Sequence, residues 1–393
     1  MNRLLFCLII ALTTTAANAQ FQVGQTTITF NDPERTGGVG AGGGPGRQIE
    51  TAVYYPAVAA GQGVNVANGA FPVVVVGHGF LTTFDAYENF WQLLVPEGYI
   101  VAIPKTEGTF AASHGDFGLD IALVANRLRS LNTDATSIFN GHVTPQAALT
   151  GHSMGGGAAM LASQVGDFDA YVGFASAETN PSAVAAAANS TVPMLMFAAD
   201  GDAVTPPADH QVPIYNAAAS ACKALVTIGG GGHCFFANAS ATCDFGELFA
   251  GGNITLTREE QQAIVSEHML PWLAFWLQGE EAAYVQFESL LEASSAVTYT
   301  LSCAAPVSVA TVYKASEISL FPNPGVREVR VQGLHESASF LVFRPDGRMV
   351  EAGRLQAESP VVDVSEWAAG YYIMRIETST GVKVLRFMKG SAD

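Results

Sequence analysis

Short apolar runs alternate with segments of helical period along most of this chain. Pro72-Val73-Val74-Val75-Val76, Tyr99-Ile100-Val101-Ala102-Ile103, Ala147-Ala148-Leu149-Thr150, Tyr171-Val172-Gly173-Phe174, Met194-Leu195-Met196-Phe197 and Ala224-Leu225-Val226-Thr227-Ile228 show almost no polar alternation. Runs of this kind predict strands buried on both faces, as in a parallel sheet. Thr51 to Pro56 also reads as a strand, and the Gly-rich stretch Gly37 to Gly46 as an exposed loop. Tyr87 to Leu94 predicts a helix. Apolar residues at 119, 121, 123, 124 and 128 give Leu119 to Leu131 a helical face, and Arg258 to Gln278, rich in Leu and Trp, predicts a closing helix. The alternation implies an α/β fold with a mainly parallel sheet and helices on both faces.

The pattern changes near Ala304. A linker, 304–317, is followed by short strand-like runs: Val329-Arg330-Val331, Phe340 to Phe343, Tyr371 to Ile376 and Lys383 to Phe387. Turn signals separate them at Phe321-Pro322-Asn323-Pro324, Pro345-Asp346-Gly347 and Trp367-Ala368-Ala369-Gly370. This spacing predicts a small β-sandwich over 318–393. No internal repeat is visible.

Charge marks the same boundary. Residues 1–317 carry 9 Lys and Arg against 26 Asp and Glu, whereas residues 318–393 carry 9 of each. The acidic part excludes nucleic acid as an expected partner and disfavours anionic membranes and polyanionic substrates by repulsion. The N-terminus reads as a signal peptide over 1–19: Asn2-Arg3, the apolar stretch Leu4 to Leu12, then Ala17-Asn18-Ala19. The main domain is then 20–303. Beyond the signal, four cysteines remain: Cys222, Cys234, Cys243 and Cys303. An even number in an exported chain predicts two disulfides with three possible connectivities. Cys234–Cys243, which would brace the loop carrying His233, and Cys222–Cys303 are the favoured pairs. The spacings fit no common zinc pattern.

The candidate chemistry lies just past the strand ends. Gly151-His152-Ser153-Met154-Gly155 is G-x-S-x-G after an apolar strand, with small residues Gly156, Gly157, Ala158 and Ala159 next. That sequence predicts a strained strand-to-helix turn that exposes the serine hydroxyl. Asp200 and Asp202 follow the strand at Met194, and His233 follows Gly229 to Gly232 after the strand at Ala224. Ser, Asp and His in this order, each at the carboxyl edge of a strand, match an α/β-hydrolase triad. Ser153 is expected to be the nucleophile, His233 the base and Asp202 the acid; Asp200 is expected to cap its turn instead. The oxyanion hole is expected from the backbone N–H groups of Met154 and Phe80, which would also bind substrate. Phe84, Tyr87, Phe235 and Phe236 could line an apolar groove or fill the core. His152 is expected in the pocket wall, and His114-Gly115-Asp116 in a loop turn.

These residues carry a resemblance. Gly151-His152-Ser153-Met154-Gly155-Gly156-Gly157, Asp202-Ala203-Val204-Thr205-Pro206, Gly232-His233-Cys234 and Gly79-Phe80 resemble the corresponding segments of bacterial cutinases and poly(ethylene terephthalate) hydrolases. The resemblance covers about residues 50–280 and extends to dienelactone-hydrolase-like lipases. It implies a secreted serine ester hydrolase acting on polyesters such as PET or cutin, with Phe80 as an aromatic clamp and without metal or organic cofactor; a monomer is expected, though the residues do not determine the oligomeric state. His152 stands where one well-known plastic-degrading member has tryptophan, and the segment Glu178-Thr179-Asn180-Pro181 lacks the tryptophan of several polyester hydrolases. A lipase or short-chain carboxylesterase would use the same triad; a non-catalytic surface-binding protein on a hydrolase scaffold is the reading from another class. Leu320-Phe321-Pro322-Asn323-Pro324, Gly370-Tyr371-Tyr372 and Arg386-Phe387-Met388-Lys389 resemble the C-terminal sorting domain of the type IX secretion system. That implies the secretion machinery as a partner and an extracellular or cell-surface location.

Overall fold

The computed structural model describes residues 21–303, 318–334, 337–344, 348–357, 360–378 and 381–390. The signal segment at 1–19, the linker at 304–317 and the turn Pro345-Asp346-Gly347 lie outside the described residues. The chain forms two compact units, Met1–Cys303 and Ala304–Asp393.

The first unit is built on one sheet. Its strands are β1 (Gln22–Asp32), β2 (Gly38–Val39), β3 (Arg47–Ala57), β4 (Gly61–Gln62), β5 (Phe71–Gly77), β6 (Ile100–Pro104), β7 (Val143–His152), β8 (Ala170–Phe174), β9 (Met194–Ala199), β10 (Cys222–Ile228) and β11 (Val297–Cys303). The spatial order is β11-β10-β9-β8-β7-β5-β6-β3-β1-β4, with β2 beside β3. From β10 to β6 every pairing is parallel. Antiparallel β11 covers the β10 edge, and antiparallel β3 and β1 extend the β6 edge. The expected α/β architecture is thus present, with antiparallel margins that the apolar runs did not announce.

Alternate side chains of the central strands enter two cores. Val73, Val75, Met194, Met196 and Ala198 pack on one face against α2 (His114–Ser130), α3 (Met154–Ala162), α4 (Ala183–Ala187) and α5 (Gln211–Ala217). Val74, Val76, Leu195, Phe197 and Ala199 pack on the other against α1 (Glu88–Leu94), α7 (Arg258–Leu273) and α8 (Glu281–Ala293). Each continuous apolar run therefore serves two faces, because successive strand residues point oppositely. The remaining helix, α6 (Ala241–Ala250), lies between the His233 loop and α7 in the chain. No helix among the described residues is long and apolar enough to cross a membrane.

Several boundaries differ from expectation. The segment His114-Gly115-Asp116 is not a loop turn but the first turn of α2. The Ser113 side chain caps it by accepting a hydrogen bond from the Asp116 N–H at 3.2 Å, which local apolar spacing could not reveal because the cap is polar. The closing helix stops at Leu273 and continues as a π-helical turn to Gln278. Both favoured disulfides form: Cys234–Cys243, and Cys222–Cys303 across directly opposed residues of β10 and β11.

The second unit contains a three-stranded sheet, β12 (Ser319–Phe321), β13 (Glu328–Gln332) and β16 (Val361–Asp363). Its four-stranded sheet runs β15-β14-β17-β18, from β14 (Ala338–Phe343), β15 (Met349–Leu355), β17 (Gly370–Thr378) and β18 (Gly381–Lys389). Val329, Val331, Phe340, Val342, Tyr372, Met374 and Phe387 form its core.

Candidate active site

Ser153 sits between β7 and α3 with φ 54° and ψ −123°. A non-glycine residue avoids this region unless its surroundings impose it. Four backbone bonds hold it: Ser153 N–H donates to the Phe174 carbonyl (2.9 Å), and its own carbonyl accepts from Gly156 (3.0 Å), Gly157 (3.2 Å) and Ala177 (2.9 Å). The flanking glycines are needed for space. A Cβ on Gly151 would overlap the Gly155 carbonyl, and one on Gly155 would overlap the carbonyl of Gly77 at the end of β5. The helix can therefore approach the sheet only with bare backbone at these positions.

His233 and Asp202 meet below this turn. His233 Nδ1 lies 2.8 Å from Asp202 Oδ2, and both side chains are buried. The carboxylate is fully engaged. Its Oδ1 accepts from the N–H groups of Val204 (2.8 Å) and Thr205 (2.7 Å), and the Thr205 hydroxyl donates to Oδ2 at 2.8 Å. Four donors orient a buried anion and offset its desolvation. Because Nδ1 donates to the carboxylate, Nε2 of a neutral His233 is the free acceptor. Asp200 points elsewhere and accepts from the Gly230 N–H at 2.6 Å, as a turn cap.

The His233 loop is clamped from behind. Gln261 bonds both backbone groups of Gly232, accepting from its N–H (2.8 Å) and donating to its carbonyl (2.9 Å). The buried Glu247 carboxylate accepts from the N–H of His233 and from that of Cys234 (3.2 Å). Burial pushes the Glu247 carboxyl above the usual carboxylate range. Sequence pattern marks neither residue: Gln261 lies in the polar run Arg258 to Gln262, and Glu247 is one of two acidic residues in its helix.

A second network joins the loop after β5 to the same histidine loop. His152 Nε2 is 2.9 Å from the His233 carbonyl. A carbonyl only accepts, so Nε2 carries the proton and Nδ1 accepts from the Tyr87 hydroxyl at 2.9 Å. The Tyr87 oxygen in turn accepts from the Gly79 N–H at 2.6 Å. Tyr87 is thus a buried hydrogen-bonding hub, not part of an apolar groove. Phe236 is likewise in the core, while Phe235 packs under the Arg258 guanidinium and Phe84 under Lys105. Burial pulls the His152 imidazole well below its usual range, with the like charge of His233 acting in the same direction.

Ser153, His152, His233, Phe80 and Gly79 line one cleft of about 170 Å³, with Thr82, Val204, Cys234, Thr242, Cys243 and Gly246. Phe80 is half exposed at its rim, whereas the Met154 side chain is buried in the core on the α2–α3 side. Met154 opens α3, so its N–H belongs to the first turn, where backbone donors lack intrahelical partners. No cluster of metal-ligating side chains occurs among the described residues.

Comparison with known proteins shows the family of each part of the chain. Residues 13–295 match the model of the PET hydrolase-like family, and residues 319–389 match the secretion system C-terminal sorting domain. The latter assigns the protein to the cell surface or the extracellular space. Cutinase est1 of Thermobifida alba is 26% identical over 202 residues, covering 49% of this chain and 58% of that cutinase. The matched region thus spans less than two thirds of that relative's length.

Proposed function

The chain belongs to the PET hydrolase-like family, and we propose that it is a secreted serine ester hydrolase that cleaves polyesters through Ser153, His233 and Asp202. The observation that carries this reading is the cleft itself. It joins a serine in a strained turn to a histidine whose Nδ1 is 2.8 Å from a fully hydrogen-bonded carboxylate.

In the reaction, His233 Nε2 takes the Ser153 hydroxyl proton as Oγ attacks the ester carbonyl carbon. Asp202 keeps the proton on Nδ1 and stabilises the imidazolium. The amides of Met154 and Phe80 face the developing oxyanion, each such donor being worth about a hundred- to a thousand-fold in turnover. The tetrahedral adduct collapses, the C–O bond breaks, and the His233 proton goes to the departing alkoxide. Water, deprotonated by His233, attacks the acyl-enzyme and frees the acid and Ser153.

The family match carries the polyester reading, and the cleft is compatible with it. About 170 Å³ is below the roughly 300 Å³ that encloses a small ligand. A chain segment lying across an open cleft fits this better than a molecule swallowed whole. Export is proposed to run through the type IX machinery, using the C-terminal unit as the address.

The test compares the wild-type chain with Ser153→Ala on p-nitrophenyl butyrate and on an amorphous aromatic polyester film, following released acid. Activity on both that vanishes in the variant supports the reading. Turnover of the soluble ester alone moves the assignment to a lipase or carboxylesterase. Activity that survives Ser153→Ala removes the serine mechanism, and no turnover of either substrate by the wild type favours a binding protein.

A further inference from the structure

Helix α6 is built inside out. A surface helix ordinarily turns its apolar positions to the core and its charged ones to water. In Ala241–Ala250 the inward positions are Cys243 and Glu247, one turn apart. Cys243 is disulfide-bonded to Cys234, and the Glu247 carboxylate accepts from the backbone of His233 and Cys234. The outward positions are Phe245, Leu248 and Phe249, exposed to 63%, 77% and 74%. The two phenylalanine rings stand together, centroids 4.5 Å apart. So the apolar face is left to solvent while the anchoring is done by a covalent bond and a buried carboxylate.

This face adjoins the cleft. Thr242, Cys243 and Gly246 of the same helix line it together with Ser153 and His233. On the Phe80 side a second aromatic pair rises from the rim: Phe80 and Phe110, 45% and 85% exposed, with centroids 6.0 Å apart. Two pairs of exposed phenylalanines therefore flank the candidate catalytic residues.

Charge and area say what the face would meet. Residues 237–257 contain no Lys or Arg. Asp244 is paired with Arg258 at 2.7 Å, and Glu247 is buried. Nothing on the helix would hold anionic headgroups. Three such side chains present roughly 400 Å², about half of the roughly 800 Å² per partner that a stable dimer buries. A flat, neutral solid needs neither shape complementarity nor that area.

Resting on the ester-hydrolase reading, we propose that α6 is a docking platform for neutral, water-insoluble polyester. Phe245, Leu248 and Phe249 adsorb to the polymer surface, and the Cys234–Cys243 and Glu247 anchors hold the His233 loop over it. None of the three lines the cleft, so docking and chemistry are separable.

The test uses the full chain with F245S, L248S and F249S combined. Adsorption to an amorphous aromatic polyester film is measured by depletion in a Ser153→Ala background, where catalysis plays no part. The expected result is binding about ten-fold weaker or more. In the background with Ser153 intact, kcat/KM on p-nitrophenyl acetate stays within about two-fold while acid release from the film falls with adsorption. Adsorption unchanged by the triple substitution overturns the proposal. So does a dimer of the parent chain, seen by sedimentation, that the substitutions dissolve, or binding to neutral lipid vesicles as strong as to the film and lost with it. Absence of Ser153-dependent turnover of the soluble ester overturns the ester-hydrolase reading alone, because the adsorption result is read independently.

Discussion

The Tyr87 hydroxyl lies 2.9 Å from Nδ1 of His152, and this single bond ties two loops of the candidate site together. Through it the Gly79 N–H, beside the proposed oxyanion donor Phe80, is linked to the His233 carbonyl. Tyr87→Phe removes the link while keeping the ring. It leaves the Gly79 N–H and His152 Nδ1 without their partner in a buried place. The expected cost is about 1–3 kcal/mol per unsatisfied group, read by denaturant unfolding, with kcat/KM on a soluble ester down about ten-fold. Unchanged kcat/KM in a folded variant would show that this network supports structure only.

The two aspartates after β9 separate cleanly by mutation. Asp202→Asn keeps the shape but replaces the acceptor that holds the His233 tautomer, so turnover should fall by about 10⁴-fold. Asp200→Asn should leave turnover within a few-fold, since Asp200 only accepts from the Gly230 N–H. Equal losses in both variants, measured by steady-state kinetics, would contradict the assignment of the acid to Asp202.

Acid should destabilise the first unit above the range where carboxylates titrate. His78 and His152 are buried, and burial lowers the pKa of both. Below about pH 6.5 an unfolded histidine takes up a proton that the folded one refuses. Stability is therefore complete above about pH 6.5 and is lost as pH falls toward the depressed folded values. Each histidine contributes a slope of at most about 1.4 kcal/mol per pH unit. Unfolding free energies measured between pH 7.5 and 5 should show this fall, and His152→Phe should make it shallower.

The disulfides should have different effects. Cys222–Cys303 closes a span of 81 residues and Cys234–Cys243 one of 9. In the chain-entropy account these correspond to about 4.5 and 2.6 kcal/mol. Cys222→Ser with Cys303→Ser should therefore cost more stability. Cys234→Ser with Cys243→Ser should cost more activity, because it frees one of the two anchors between α6 and the His233 loop. Thermal midpoints and kcat/KM of both double variants distinguish the effects.

What the linear chain determined was local. The apolar runs at Val73, Ala147, Met194 and Ala224 specify buried parallel strands, since a strand covered on both faces has no polar side to show. The small residues from Gly151 to Gly157 specify a tight turn, since the approach of α3 to β5 leaves no room for a Cβ. The order of Ser153, Asp202 and His233 after the ends of β7, β9 and β10 places them along one sheet edge. The tertiary structure decided the partners. Tyr87 and Phe236 are both aromatic residues in apolar surroundings, yet one is a hydrogen-bonding hub and the other is core. The choice of Asp202 over Asp200 as the partner of His233 depends on the direction of a loop only two residues further on. The inversion of α6 is invisible along the chain because hydrophobicity does not state which face is covered. There a disulfide and a buried carboxylate hold the helix, and its apolar side is left to water. Periodicity is written by each residue's neighbours in sequence, while pairing is written by groups that meet only once the sheet has formed.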